Sequence, residues 1–151
     1  MEAAIVMTDT DFRYDGTVTA SARVAGGSGE YTYEWYLDGA LVPGQTTGDF
    51  SATALSTGEH TLRLVVSDGE TSVTNDYAGA IVFHPVEVYV SSTGSATFPY
   101  DTPETATDAP SDAFTALWLA SDTTCTVHVA EGTYFLSSPL TLSKPCRVLG
   151  A

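Results

Sequence analysis

The residues of this chain that could do chemistry are its acids, its histidines, its cysteines and its tyrosines. Asp101, Glu104, Asp108 and Asp112 fall close together, as do Asp9, Asp11 and Asp15. Carboxylates grouped in this way could act as acid and base, or offer oxygen ligands to a hard cation such as calcium. Neither group has EF-hand spacing, and acidic, Pro-rich connections ordinarily lie solvated. No metal centre and no cofactor is therefore expected, with calcium at Asp9, Asp11 and Asp15 the alternative kept open. His60, His84 and His128 are too few and too dispersed to supply the four ligands of a structural zinc. No Gly-x-Ser-x-Gly elbow places a serine for nucleophilic attack, so no catalytic residue is assigned. Tyr36, Tyr100 and Tyr134 could present ring faces with polar rims, which suits stacking against a pyranose, although tyrosine is also an ordinary strand residue.

The charge balance narrows the partners. Nineteen acidic residues stand against five basic ones, a formal net charge of -14. Arg13, Arg23, Arg63, Lys144 and Arg147 are scattered, too sparse to displace the counterions of a polyanion, so neither nucleic acid nor an anionic membrane is an expected partner. No run approaches the roughly 20 apolar residues needed to span a bilayer. The start, Met1-Glu2-Ala3-Ala4, has neither the basic nor the apolar region of a signal peptide, which suits a cytoplasmic protein or a piece of a longer precursor. The second is the expectation, for reasons given by the rest of the chain.

The elements that must position these side chains are mostly strands. Val18, Ala20, Ala22 and Val24 alternate with Thr17, Thr19, Ser21 and Arg23. Tyr31, Tyr33, Trp35 and Leu37 alternate with Thr32, Glu34, Tyr36 and Asp38. Such period-two patterns predict strands with one buried face. Asp38-Gly39 marks a tight turn, a third strand runs from His60 to Ser67, and Asp68-Gly69 supplies the next hairpin. A strand over Ser72 to Phe83 closes the set and Ile5 to Met7 opens it. Six or seven strands in about 80 residues predict a β-sandwich packed around Trp35, without the antibody-type disulfide.

The run Tyr33-Glu34-Trp35-Tyr36-Leu37-Asp38-Gly39, followed by Leu55-Ser56-Thr57-Gly58-Glu59-His60 and the alternating strand that ends on Asp68-Gly69, resembles PKD and related bacterial immunoglobulin-like repeats. The resemblance covers roughly residues 4 to 83. It departs from the family's usual Trp-x-Phe-Gly-Asp-Gly turn at Trp35-Tyr36-Leu37-Asp38-Gly39. It implies an immunoglobulin-like sandwich over residues 1–84.

His84-Pro85 reads as a hinge. Beyond it come a short strand at Val86 to Val90, a long Ser/Thr/Pro/Asp-rich loop to Pro110, and a helix over about 111–120. That helix is expected to be capped by Ser111, with Phe114, Leu117 and Trp118 on one face. Strands are expected at Thr124 to Val129, at Leu140 and Leu142, and at Pro145 to Leu149. Aligning Cys125-Thr126-Val127 with Cys146-Arg147-Val148 gives a repeat of about 21 residues, near one coil of a parallel β-helix. At equivalent places on successive coils, Cys125 and Cys146 could form a disulfide suited to an oxidising compartment, or could equally be two small buried hydrophobes.

Tyr89-Val90-Ser91, the helix around Ala113 to Leu119, and Val127-His128-Val129-Ala130-Glu131-Gly132-Thr133-Tyr134 resemble the N-terminal cap and first coil of the pectin-lyase-like β-helix superfamily. The resemblance implies a fold for residues 85–151, not a chemistry. Superfamily members that cleave acidic polysaccharides carry their catalytic groups on later coils. One coil cannot bury its own apolar face, so residues 85–151 are expected to be the start of a longer β-helix.

The expected whole is mainly β, an immunoglobulin-like PKD-type sandwich followed by a cap helix and the first coils of a parallel β-helix. Such a chain would serve as a non-catalytic structural or binding module of a large secreted or cell-surface protein. It would act as a monomer, with polysaccharide or another surface protein as partner. The alternative is the accessory, N-terminal part of a β-helix polysaccharide lyase or glycoside hydrolase.

Overall fold

A computed structural model describes residues 1–53, 55–118, 124–141 and 145–151. The chain divides into two compact units, one of Met1–Leu55 with Glu59–Phe83, the other of Ser56–Gly58 with His84–Ala151.

The first stretch of chain forms β1 (Glu2–Met7), β2 (Asp11–Arg13), β3 (Thr17–Ala25), β4 (Thr32–Leu37), β5 (Ala40–Leu41), β6 (Asp49–Thr53), β7 (Gly58–His60), β8 (Leu62–Ser67), β9 (Ser72–Asp76) and β10 (Ile81–His84). They assemble into sheets ordered β1-β3-β6, β2-β10-β7 and β5-β4-β8-β9, an arrangement compatible with a β-sandwich. The period-two pattern explains the buried face. Val18 and Ala20 of β3, Trp35 of β4, Phe50 of β6, Leu62, Leu64 and Val66 of β8, and Ile81 and Phe83 of β10 form one core. Trp35 is fully buried, and its indole Nε1 donates to the Thr47 carbonyl at 2.9 Å, so the ring's one polar atom is satisfied.

Two predicted strands are each broken in two. The expected run from His60 to Ser67 is interrupted at Thr61, where the chain leaves one sheet and enters another: β7 neighbours β10, whereas β8 pairs with β4 and β9. The Thr61 N–H is taken by Asp38 Oδ1 at 2.8 Å instead of by a ladder partner. The expected run from Ser72 to Phe83 likewise separates into β9 and β10. Strands β2 and β5 went unpredicted because each is short, and β6 because it carries a single large apolar residue, Phe50. Asp38 and Gly39, both at positive φ (50° and 79°), form the two-residue loop between β4 and β5, where Leu37 faces Ala40. Two positive φ values are what a type I′ hairpin demands, and Asp-Gly meets the demand at little steric cost.

The second unit holds β11 (Glu87–Val90), α1 (Pro110–Ala116), β12 (Cys125–Val129) and β13 (Cys146–Gly150). The three strands pair in parallel in the order β11-β12-β13. Cys125 stands opposite Cys146 and Val127 opposite Val148, the register given by the sequence repeat. Val88, Val90, Cys125 and Val127 bury one sheet face together with Ala113, Ala116 and Leu117.

The helix begins earlier than its expected Ser111 cap. Ala109 is the N-cap, with no side-chain hydrogen bond, because Pro110 at the first helical position presets the backbone. The helix ends at Ala116, and its buried residues are Pro110, Ala113 and Ala116. The expected continuation to residue 120 falls partly on 119–123, outside the described residues. Leu140 is not in a strand: Pro139 before it has no N–H to give a ladder. Leu142 and Lys144 lie outside the described residues. The long segment 91–109 is built rather than loose. It doubles back through Ser95 N–H to Glu104 O (2.8 Å), Ala96 N–H to Ala106 O (3.0 Å) and Thr97 N–H to Thr105 O (3.1 Å), and Ala106 and Thr107 are buried.

Candidate functional site

Because successive side chains on a strand alternate between faces, the parallel sheet that buries Val88, Cys125 and Val127 must turn Glu87, Tyr89, Thr126, His128, Arg147 and Leu149 the other way. The register sorts these into two rows across the sheet. Glu87, Thr126 and Arg147 form one, and Tyr89, His128 and Leu149 the other. Neighbours within a row stand about 4.8 Å apart. That spacing lets the Tyr89 and His128 rings stack, with centroids 4.6 Å apart and planes within 11°. Leu149, 37% exposed, stands next to His128 in the same row.

Glu87 anchors both rings. Its Oε1 bonds His128 Nε2 and receives the Tyr89 hydroxyl at 3.5 Å. Burial and then the nearby Glu87 charge push the Tyr89 phenol up, so it stays a neutral donor. The Tyr89–His128–Leu149 row borders an open cleft of about 330 Å³, whose other lining residues include Ser91, Thr93 and Pro103. Ser91 and Thr93 hydroxyls bond each other at 2.9 Å. Among the described residues no serine, threonine or cysteine is hydrogen-bonded to His128, whose side-chain partner is Glu87. The arrangement sets a stacked ring pair and hydroxyls at the cleft, with the Glu87 carboxylate bonded to both rings.

The groups singled out in the sequence are distributed elsewhere. Asp15 is gripped by the Arg13 guanidinium, which holds its carboxyl below the usual range. Asp11 accepts from Thr10 Oγ1 at 3.2 Å. Asp101 accepts from the Thr57 hydroxyl, and Asp112 from Ser111 Oγ at 3.3 Å. Among the described residues no three His, Cys, Asp or Glu side chains converge to hold an ion.

The three histidines serve three environments. His60 is buried against Asp38, His84 Nδ1 lies 2.9 Å from the Ala116 carbonyl oxygen, and His128 belongs to the cleft. The three tyrosines do not make one platform. Tyr36 is on the first unit's four-stranded sheet, opposite Arg63, its hydroxyl donating to Glu34 at 2.9 Å. Tyr100 and Tyr134 pack on the second core, with Tyr134 donating to the Ala130 carbonyl at 2.9 Å.

Of the cleft residues, Leu149 was within reach of the sequence. Once Cys125 and Cys146 are aligned, Leu149 must fall opposite His128. Tyr89 and Glu87 were not, because β11 shares no repeat with β12 and its register is settled only by pairing.

No protein-family model matches the chain, and no curated protein matches it. The class that the fold defines is a mainly β protein of several small sheets with one short helix. Among the described residues no helix is long and apolar enough to cross a membrane.

Proposed function

We propose that this chain is a non-catalytic structural and binding module of a secreted or cell-surface protein, and that it holds a polysaccharide. In this reading the first unit is an immunoglobulin-like sandwich of the PKD kind and the second the opening coil of a parallel β-helix. The observation that carries it is the Tyr89–His128–Leu149 row beside its cleft. A stacked ring pair and Leu149 beside hydroxyls, with one anchored carboxylate close by, suit the apolar patch and polar rim of a neutral pyranose. The net charge of -14 disfavours acidic polymers as ligands. The parallel register, the twenty-one-residue spacing and the inward stacking of Cys125, Val127 and Val88 support the β-helix reading.

The test is a titration of the isotope-labelled full chain with soluble neutral oligosaccharides (β-glucan, galactan, mannan and chitin fragments), followed by amide and ring NMR signals. Shifts centred on Tyr89, Ser91, His128 and Leu149, abolished by Tyr89→Ala, are expected. A silent panel, or shifts centred on Tyr36 instead, overturns the reading.

A further inference from the structure

The two cysteines begin neighbouring strands. Cys125 is the first residue of β12, Cys146 the first of β13, and they are direct register partners. In-register neighbours of a parallel ladder are separated by about 4.8 Å, within the roughly 4.4–6.8 Å that disulfides span between Cα atoms. Equal register also sends both Cβ atoms to the same face, which here is the core. Cys125 is fully buried there and Cys146 packs, half-buried, on the same cluster.

Both are free thiols in this structure, and neither has a strong partner. Cys125 Sγ donates to the Trp118 carbonyl at 3.0 Å, and Cys146 Sγ to the Arg147 carbonyl at 3.7 Å, both weak bonds. Burial pushes both thiols up, and the charge of a Cys146 thiolate pushes Cys125 up further.

We infer that Cys125 and Cys146 close an intrachain disulfide that staples β12 to β13 on the sheet face opposite the Tyr89–His128–Leu149 row. The chemistry is thiol–disulfide exchange with a donor disulfide. Cys146, the more accessible thiol, loses its proton and attacks one donor sulfur. The donor S–S bond breaks, one donor thiolate departs, and a mixed disulfide forms at Cys146. Cys125 then loses its proton and attacks the Cys146 sulfur, expelling the second donor thiolate. Two protein thiols give up two protons and two electrons, and the donor disulfide is reduced to two thiols. The link suits an oxidising setting and does not depend on what the cleft binds.

The test uses the full chain with oxidised glutathione as donor, read by intact mass and by non-reducing digestion. The expected product has lost two hydrogens, retains no glutathione and joins the peptides carrying Cys125 and Cys146. Its second unit is expected to melt on the order of 10 °C higher, reversed by dithiothreitol. Cys125→Ser should instead accumulate glutathione at Cys146. Should that buried substitution prevent folding, Cys146→Ser, at the half-buried position, should lose the cross-link and the melting shift. A wild-type chain that keeps glutathione on Cys146, that links to a second chain, or that stays reduced where its urea-unfolded form oxidises, overturns the inference. Because mass reads the disulfide and NMR titration reads the cleft, failure of either leaves the other standing.

Discussion

The Asp38 carboxylate holds His60 and the backbone beside it at once: Oδ2 lies 2.6 Å from His60 Nδ1, and Oδ1 accepts the Thr61 N–H at 2.8 Å. Asp38 sits in the hairpin loop between β4 and β5, and Thr61 is where the chain passes from one sheet to another. A single carboxylate therefore ties a turn to a sheet crossing. The His60 ring is buried and meets Phe83 edge-on at 5.6 Å, so the pair also orients part of the core.

Removing that carboxylate should cost the first unit more than a surface change would. Asp38→Ala takes away an acceptor from a buried imidazole and from the Thr61 N–H, and puts alanine at positive φ. A loss of about 2–3 kcal/mol in urea unfolding is expected. Asp38→Asn, which tolerates the φ value, should lose about half as much. Equal losses for the two would show that the carboxylate contacts, and not backbone strain at the positive φ, account for the whole effect.

Acid should weaken the same contacts. Burial raises the Asp38 carboxyl, but the hydrogen bonds from His60 and Thr61 outweigh it and leave the group below its ordinary value. A carboxyl lowered on folding contributes stability that is complete above the unfolded value, about 3.9, and is lost as pH falls through the lower folded value. Asp68 follows the same direction, held down chiefly by the Thr71 N–H. Unfolding free energy of the first unit should therefore fall below about pH 4, and Asp38→Asn should flatten that slope. An unchanged slope in Asp38→Asn would assign the acid limb to other groups.

Trp35→Phe tests the first core. The smaller ring leaves a void and strips the Thr47 carbonyl of its indole donor. A loss of about 2–3 kcal/mol is expected, read as a lower urea midpoint. Midpoints within experimental error of each other would contradict the full burial of this ring.

Gly94 tests whether segment 91–109 is an integral part of the second unit. A Cβ there would stand 2.2 Å from the Ala106 carbonyl oxygen, a backbone atom that cannot step aside alone. Gly94→Ala should destabilise the second unit by more than about 2 kcal/mol. Gly150→Ala meets nothing within 4 Å and should change stability by less than about 0.5 kcal/mol. Hydrogen exchange at β11 and β12 distinguishes the two variants, and matching protection in both would refute the close approach at Gly94.

The sequence by itself determined what depends on near neighbours. Alternation at Val18 and Ala20, and at Leu62, Leu64 and Val66, marked the faces that are buried. Asp38-Gly39 marked a loop whose two positive φ values few other pairs accept, and the Cys125/Cys146 alignment gave the β12–β13 register. Tertiary structure decided what depends on partners distant in the chain. It broke the strand at Thr61, grouped Ser56–Gly58 with the second unit, and set Tyr89 against His128 with Glu87 bonding both. Period-two burial and turn chemistry act over a few residues, and so are written in local order. Which strand a ladder recruits is settled by the packing of the whole unit, and that leaves no local trace in β11.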